Sequence, residues 1–136
     1  MRLVEELGSS RFSFLTDRPL EFLEQLKGEL SKELKLESDE GEVSKGSLGE
    51  RIERKFQFRV DLDIVSTLSL LANFKYERGS MEAQLTFKLI AEVGQGLFAD
   101  FYLKELYKKA LKEAKQTMES LKRRIELIAS SFGVLT

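Results

Sequence analysis

The stretch Leu97 to Ser131 most constrains what this chain can fold into. Its apolar residues Tyr107, Leu111, Ala114, Met118, Leu121, Ile125, Ile128 and Phe132 recur in alternating steps of four and three. That spacing puts them on one stripe of a helix. Between them stand Lys104, Glu105, Lys108, Lys109, Lys112, Glu113, Lys115, Glu119, Lys122, Arg123 and Glu126, a charged outer face. At about 1.5 Å per residue such a helix is roughly 50 Å long. The same spacing would suit a coiled coil, but the flanking charges are mostly Lys and pair poorly across such a seam. The stripe therefore calls for a long, one-sided apolar surface in the preceding residues.

Three consecutive stretches supply it by alternating with period two. Ile52, Phe56, Phe58, Val60, Leu62 and Ile64 share one face of the first; Leu68, Leu70, Ala72, Phe74 and Tyr76 share one face of the second. Met81, Ala83, Leu85, Phe87, Leu89, Ala91 and Val93 share one face of the third. The opposite faces are polar, as in an antiparallel meander with one wet side. Turns are expected near Ser66-Thr67 and at Arg78-Gly79-Ser80, and Gly94-Gln95-Gly96 breaks the sheet before the helix.

Upstream, residues 1–10 carry no clear pattern, and Arg11–Thr16 reads as a short first strand with Phe12 and Phe14 on one side. Thr16-Asp17-Arg18-Pro19 reads as a helix start, with Thr16 or Asp17 as cap and Pro19 in the first turn. Leu20, Leu23, Leu26 and Leu30 follow at helical spacing. Gly28, costing about 1 kcal/mol in a helix interior, predicts a bend or two short helices ending before Leu34. Leu34 and Leu36 suggest a strand, Asp39-Glu40-Gly41 a turn, and Glu42–Ser47 a short polar strand. A sheet with one apolar face and a helix with one apolar stripe satisfy each other by packing together. The expected fold is α+β and a single domain over residues 1–136: a curved antiparallel sheet of about six to seven strands around a long C-terminal helix, with one or two short helices after the first strand.

Composition limits the chemistry. The 22 basic and 23 acidic residues leave a net charge of −1, which gives no general attraction for nucleic acid. Cysteine and histidine are both absent. That removes disulfides, thiol nucleophiles, imidazole acid–base catalysis and zinc sites of the usual kind. No phosphate loop, nucleophile–base pair or metal-ligand cluster stands in the sequence, so no catalytic residue, metal or cofactor is expected. No apolar run is long enough to span a bilayer, and the first ten residues lack a signal-peptide core, so a cytoplasmic protein is expected. A single Asn beside many Lys and Glu resembles thermophile composition.

This order of elements resembles the START-like, helix-grip superfamily, which includes polyketide cyclases and aromatases and the birch-pollen-allergen type. Phe12-Ser13-Phe14-Leu15-Thr16-Asp17-Arg18-Pro19-Leu20-Glu21-Phe22-Leu23 is similar to its first strand and first helix. The alternating strands are similar to its meander, and Met118-Glu119-Ser120-Leu121-Lys122-Arg123-Arg124-Ile125-Glu126 to the end of its grip helix. The resemblance covers nearly the whole chain, in architecture rather than signature residues. Gly41, Gly46 and Gly49 do not reproduce the glycine-rich loop of the plant members. It implies a cavity between sheet and helix for an apolar ligand.

The candidate ligand-binding residues are therefore Phe56, Phe58, Val60, Ala72, Phe74, Leu85 and Phe87 on the sheet. On the helix they are Tyr107, Ala110, Leu111, Ala114 and Met118. Arg54 lies in register with Ile52 and Phe56, so its guanidinium should point to the apolar side and meet an internal carboxylate or a ligand head group. Tyr76 adds a hydroxyl on an apolar face. An empty void of roughly 300 Å³ would cost about 7 kcal/mol at ~24 cal/mol per Å³. That rivals the ~5–15 kcal/mol stability of a whole domain, so a pocket here is either collapsed or filled. The expected function is binding or carriage of a hydrophobic small molecule, a fatty acid or other lipid, with Arg54 on its carboxylate. The alternatives are a cyclase-like enzyme and a non-catalytic adaptor with a vestigial cavity. A homo-oligomer through the sheet edge or helix is expected from Phe98 and Phe132 near exposed ends.

Overall fold

The computed structural model describes residues 2–92, 94 and 105–136. Six antiparallel strands form one curved sheet: β1 (Arg2–Leu15), β2 (Lys35–Gly46), β3 (Gly49–Asp61), β4 (Ser66–Glu77), β5 (Ser80–Glu92) and β6 (Val134–Leu135). Their order across the sheet is β2-β3-β4-β5-β1-β6. Helix α1 (Pro19–Leu30) follows β1, and helix α2 (Tyr107–Ser130) precedes β6. Both helices pack against the same face of the sheet, as the two hydrophobic periods require. Residues 97–104, expected to begin the long helix, and Val93 lie outside the described residues.

The meander is where alternation placed it. Phe56, Phe58, Leu70, Ala72, Phe74, Leu85, Phe87 and Leu89 are all buried on the inner face. The β4–β5 connection is a two-residue hairpin, with Arg78 at φ 53° and Gly79 at φ 82°; two successive positive φ values match strand twist. Ile64 is a correction. It stands fully exposed in the β3–β4 loop, where Asp63 Oδ1 accepts the N–H groups of Val65 and Ser66 at 2.8 and 2.7 Å. That side-chain turn ends the strand before alternation reaches Ile64.

Three expectations in the N-terminal third are also corrected. First, β1 begins at Arg2 and pairs with β5 from there on, with a slip in register between Glu6 and Gly8. This bulge breaks the alternation that would reveal a strand. It also lets α2 come close: a Cβ at Gly8 would lie 3.3 Å from the Met118 sulfur. Second, α1 is one helix, and Gly28 sits on its exposed side with open space around it. Its cap position is Arg18, whose own side chain makes no capping bond; Thr16 Oγ1 instead accepts the Arg18 N–H at 3.1 Å just before the helix. Third, Asp39-Glu40-Gly41 is no turn but the middle of β2. A Cβ at Gly41 would collide with the Glu53 carbonyl on β3, so this glycine serves close strand approach.

The core centres on Phe22 of α1. Its ring meets Phe14, Phe74 and Phe132 edge-on at centroid distances of 4.8, 5.6 and 5.8 Å. Phe132 is thus buried rather than exposed, and Arg18 caps its ring at 4.8 Å; Phe98 lies outside the described residues. The buried stripe of α2 is Ala110, Ala114, Met118, Leu121, Ile125 and Ala129. Leu111 and Ile128 fall to its half-buried margins. Phe22→Ala should cost about 3–5 kcal/mol in denaturant-derived stability. Ile64→Ser, altering a side chain that touches only water, should stay within ~0.5 kcal/mol.

Candidate functional site

The inward Arg54 is the sharpest sequence expectation, and the structure gives it a protein partner. Arg54 and Gly41 face each other across β3 and β2. With no side chain at Gly41 in the way, the guanidinium reaches Asp39. Nε donates to Asp39 Oδ1 at 2.5 Å and a terminal nitrogen to Oδ2 at 2.7 Å, a bidentate pair. Two residues of α1 complete the cluster: Glu24 accepts from Arg54 at 3.1 Å, and Lys27 lies 2.8 Å from Asp39. The guanidinium also sits 5.0 Å over the Phe56 ring. The side chains of Arg54 and Asp39 are 18% and 19% exposed. The cluster fastens α1 to the β2–β3 hairpin.

Hydrogen bonds from Arg54 hold the Asp39 carboxyl well below the usual carboxylate range; burial opposes this and Lys27 adds to it. The same pairing raises Arg54. A carboxylate depressed on folding contributes stability that is present above its unfolded pKa of about 3.9 and lost as pH falls below it. Asp39→Asn should therefore lower stability by about 1–3 kcal/mol at pH 7. In urea titrations the gap between variant and parent should narrow steadily below pH 4; a gap independent of pH would contradict this role.

The two tyrosine hydroxyls are also engaged. Tyr76 donates to the Thr16 carbonyl at 2.8 Å, closing the corner between β4 and the start of α1, and burial pushes its phenol pKa up. Tyr107 donates to Glu5 of β1, joining the start of α2 to the sheet margin. Asp39, Glu24, Lys27 and Glu5 were not singled out in the sequence. The signal for Asp39 was Arg54 itself, since an inward guanidinium needs a carboxylate on a neighbouring strand.

The remaining candidates divide along the sheet. Phe56, Ala72, Phe74 and Leu85 lie toward the end where Phe22, Leu23, Leu26 and Leu30 of α1 cover the sheet, all fully buried. Phe58 and Phe87 occupy the next cross-strand row, level with Gly8. Beyond it come Val60, Leu68, Leu89 and Glu5. Because Tyr107 reaches Glu5 and Met118 rests near Gly8, the first turns of α2 lie over this second end. There the helix contributes Ala110 and Ala114, both buried, and Leu111, half-buried. Leu7, Leu36 and Val60 on the sheet and Leu62 just beyond β3 are half-buried at the same end. Phe12, Tyr76 and Ile128 are the half-buried members elsewhere. Arg54 is six residues from Val60 along β3, roughly 20 Å at ~3.3 Å per residue, so the ion cluster and the alanine-lined end are separate places.

Among the described residues no group of carboxylates is arranged to hold a metal ion, and no helix is long and apolar enough to cross a membrane. No family model, curated protein or solved structure matches the chain.

Proposed function

We propose that this chain binds a hydrophobic small molecule, a fatty acid or other lipid, between the sheet and the first turns of α2. The observation that carries the reading is the asymmetry of the core. One end is filled by phenylalanines and the leucines of α1; at the other, a helix showing Ala110 and Ala114 lies over a leucine floor. Half-buried Val60, Leu62, Leu36 and Leu111 give that end an apolar margin through which a ligand would enter. The resemblance of element order to the helix-grip superfamily supports the same location. Arg54 is not assigned to the ligand, since Asp39 occupies its fork and it lies beneath the other end.

A second reading, a cyclase-like enzyme, draws on one observation. Tyr107 and Glu5 form a hydrogen-bonded pair of ionisable groups at the margin of the same end, as acid–base chemistry would need. Glu5→Gln separates the two: a carrier keeps its ligand, whereas an enzyme still binds substrate but no longer converts it.

Native mass spectrometry of freshly purified protein should show a bound apolar species that organic extraction removes. Extracted protein should then take up a fluorescent fatty acid. Ala114→Leu should weaken that uptake at least tenfold. If the protein carries nothing, takes up nothing, and Ala114→Leu costs the ~1–3 kcal/mol expected for overpacking a solid core, the reading is wrong.

A further inference from the structure

The two edges of the sheet differ. On one side β6 covers the end of β1 at Phe14 and Leu15, and the slip between Glu6 and Gly8 interrupts the rest of that edge. On the other, β2 is the outermost strand. From Ser38 to Gly46 it pairs with β3 in unbroken register, with no bulge and no proline, the usual protections of a free edge. It therefore presents a regular row of amide and carbonyl groups, which no other strand meets among the described residues.

The inner face carries an apolar row to this same edge. Phe14, Met81, Tyr76, Ile52 and Val43 stand opposite one another in turn from β1 to β2. Phe14, Met81 and Ile52 are buried, whereas Val43, at the edge, is 50% exposed. On α1, Lys27 reaches Asp39 and Glu24 reaches Arg54, the partner of Gly41. Leu20, one turn earlier on that helix face, therefore points toward Val43, and it is 43% exposed. The core row runs off the sheet without a cover.

A second copy of β2 supplies the cover in one alignment. With the helix-covered faces of both copies on the same side, a two-fold axis passes through a residue of β2 that opposes itself. Like charges directly opposite are destabilising. Centring on Asp39, Glu40, Glu42 or Lys45 sets such a pair on the axis, and centring on Gly41 sets Glu40 against Glu42. Centring on Ser44 puts Lys45 against Val43. Centring on Val43 instead opposes Val43 to Val43, Glu42 to Ser44, Gly41 to Lys45 and Glu40 to Gly46. No like charges meet, and the apolar row continues into Ile52 of the second copy. Lys45 falls opposite Gly41, level with the carboxylates of Asp39 and Glu24. Odd residues oppose odd and even oppose even, so the backbone groups facing the edge in one copy meet their counterparts in the other. We propose that the chain forms a two-fold symmetric dimer through its β2 edges, paired antiparallel about Val43, joining the two sheets into one.

Analytical ultracentrifugation of the full chain at micromolar concentration tests this. The parent should sediment as a dimer. Val43→Lys, which sets two cations on the axis, should weaken dimerisation at least tenfold with far-ultraviolet circular dichroism unchanged. Because the chain has no cysteine, single introduced thiols report the register. Directly opposed strand residues have Cα atoms about 4.5–5.5 Å apart, within disulfide range. Under mild oxidation Val43→Cys should form a disulfide-linked dimer. Ser44→Cys, which faces Glu42 of the second copy, and Ser9→Cys on the β1 edge should not. A monomeric parent overturns the proposal, and so does a dimer that survives Val43→Lys. Crosslinking of Ser44→Cys or Ser9→Cys more readily than Val43→Cys overturns it too, and this thiol pattern alone decides if Val43→Lys fails to fold.

Discussion

The fold depends on covering one apolar face of a wide curved sheet with two helices of unequal character. Phe22 is where that cover closes. Its ring touches β1 through Phe14, β4 through Phe74 and the segment after α2 through Phe132. Edge-to-face pairs of this kind add about 0.5–1.5 kcal/mol each beyond the area they bury. One residue in a short helix thus connects both ends of the chain to the middle of the sheet. Gly133 completes the join, since any Cβ there would strike the Leu15 carbonyl as the chain turns to lay β6 beside β1.

The ion cluster of Arg54, Asp39, Glu24 and Lys27 does a different kind of work. Partly buried charges gain little net stability over apolar groups of the same shape, because desolvation offsets most of the Coulomb attraction. What the cluster supplies is register. Asp39 is paired opposite Phe56 and Gly41 opposite Arg54, so a slip of β2 by one residue would turn Asp39 to the outer face and leave Arg54 inward without its bidentate partner. β2 is otherwise poorly specified, being an edge strand exposed over most of its length. The charges fix a strand that hydrophobic alternation could not.

That division explains what could be read from the sequence. β3, β4 and β5 and the described part of the long helix were legible because each has one wet and one dry face, so burial writes a period of two or 3.6 into the residues. β1 was half legible: Phe12 and Phe14 alternate, but the bulge at Gly8 resets the pattern for Leu3 to Leu7. β2 was not legible as one strand, because Asp39, Glu40 and Gly41 together resemble a turn and only a partner three-dimensionally adjacent, Arg54, gives them another meaning. At the candidate ligand end the sequence identified the small residues Ala110 and Ala114 and the aromatic sheet face. It could not reveal that α1 fills one half of that face, since helix docking depends on loop geometry rather than on periodicity.

One feature of the outer sheet face lay beyond sequence reading for a further reason. Alternation placed Glu53, Lys55, Asn73, Lys75, Glu82 and Gln84 on the wet face of the sheet, while Glu40 of β2 was read as part of a turn. Nothing in a list of polar residues tells a solvated face from a recessed one. Asn73 is only half-buried, yet its Oδ1 is covered and has no hydrogen-bond partner among the described residues, on the face that the pattern assigns to solvent. A polar atom covered without a partner bears a free-energy cost that the hydrophobic effect does not offset. Valine would avoid that cost and has the higher strand propensity. The only asparagine in the chain occupies this position instead, in the middle of β4.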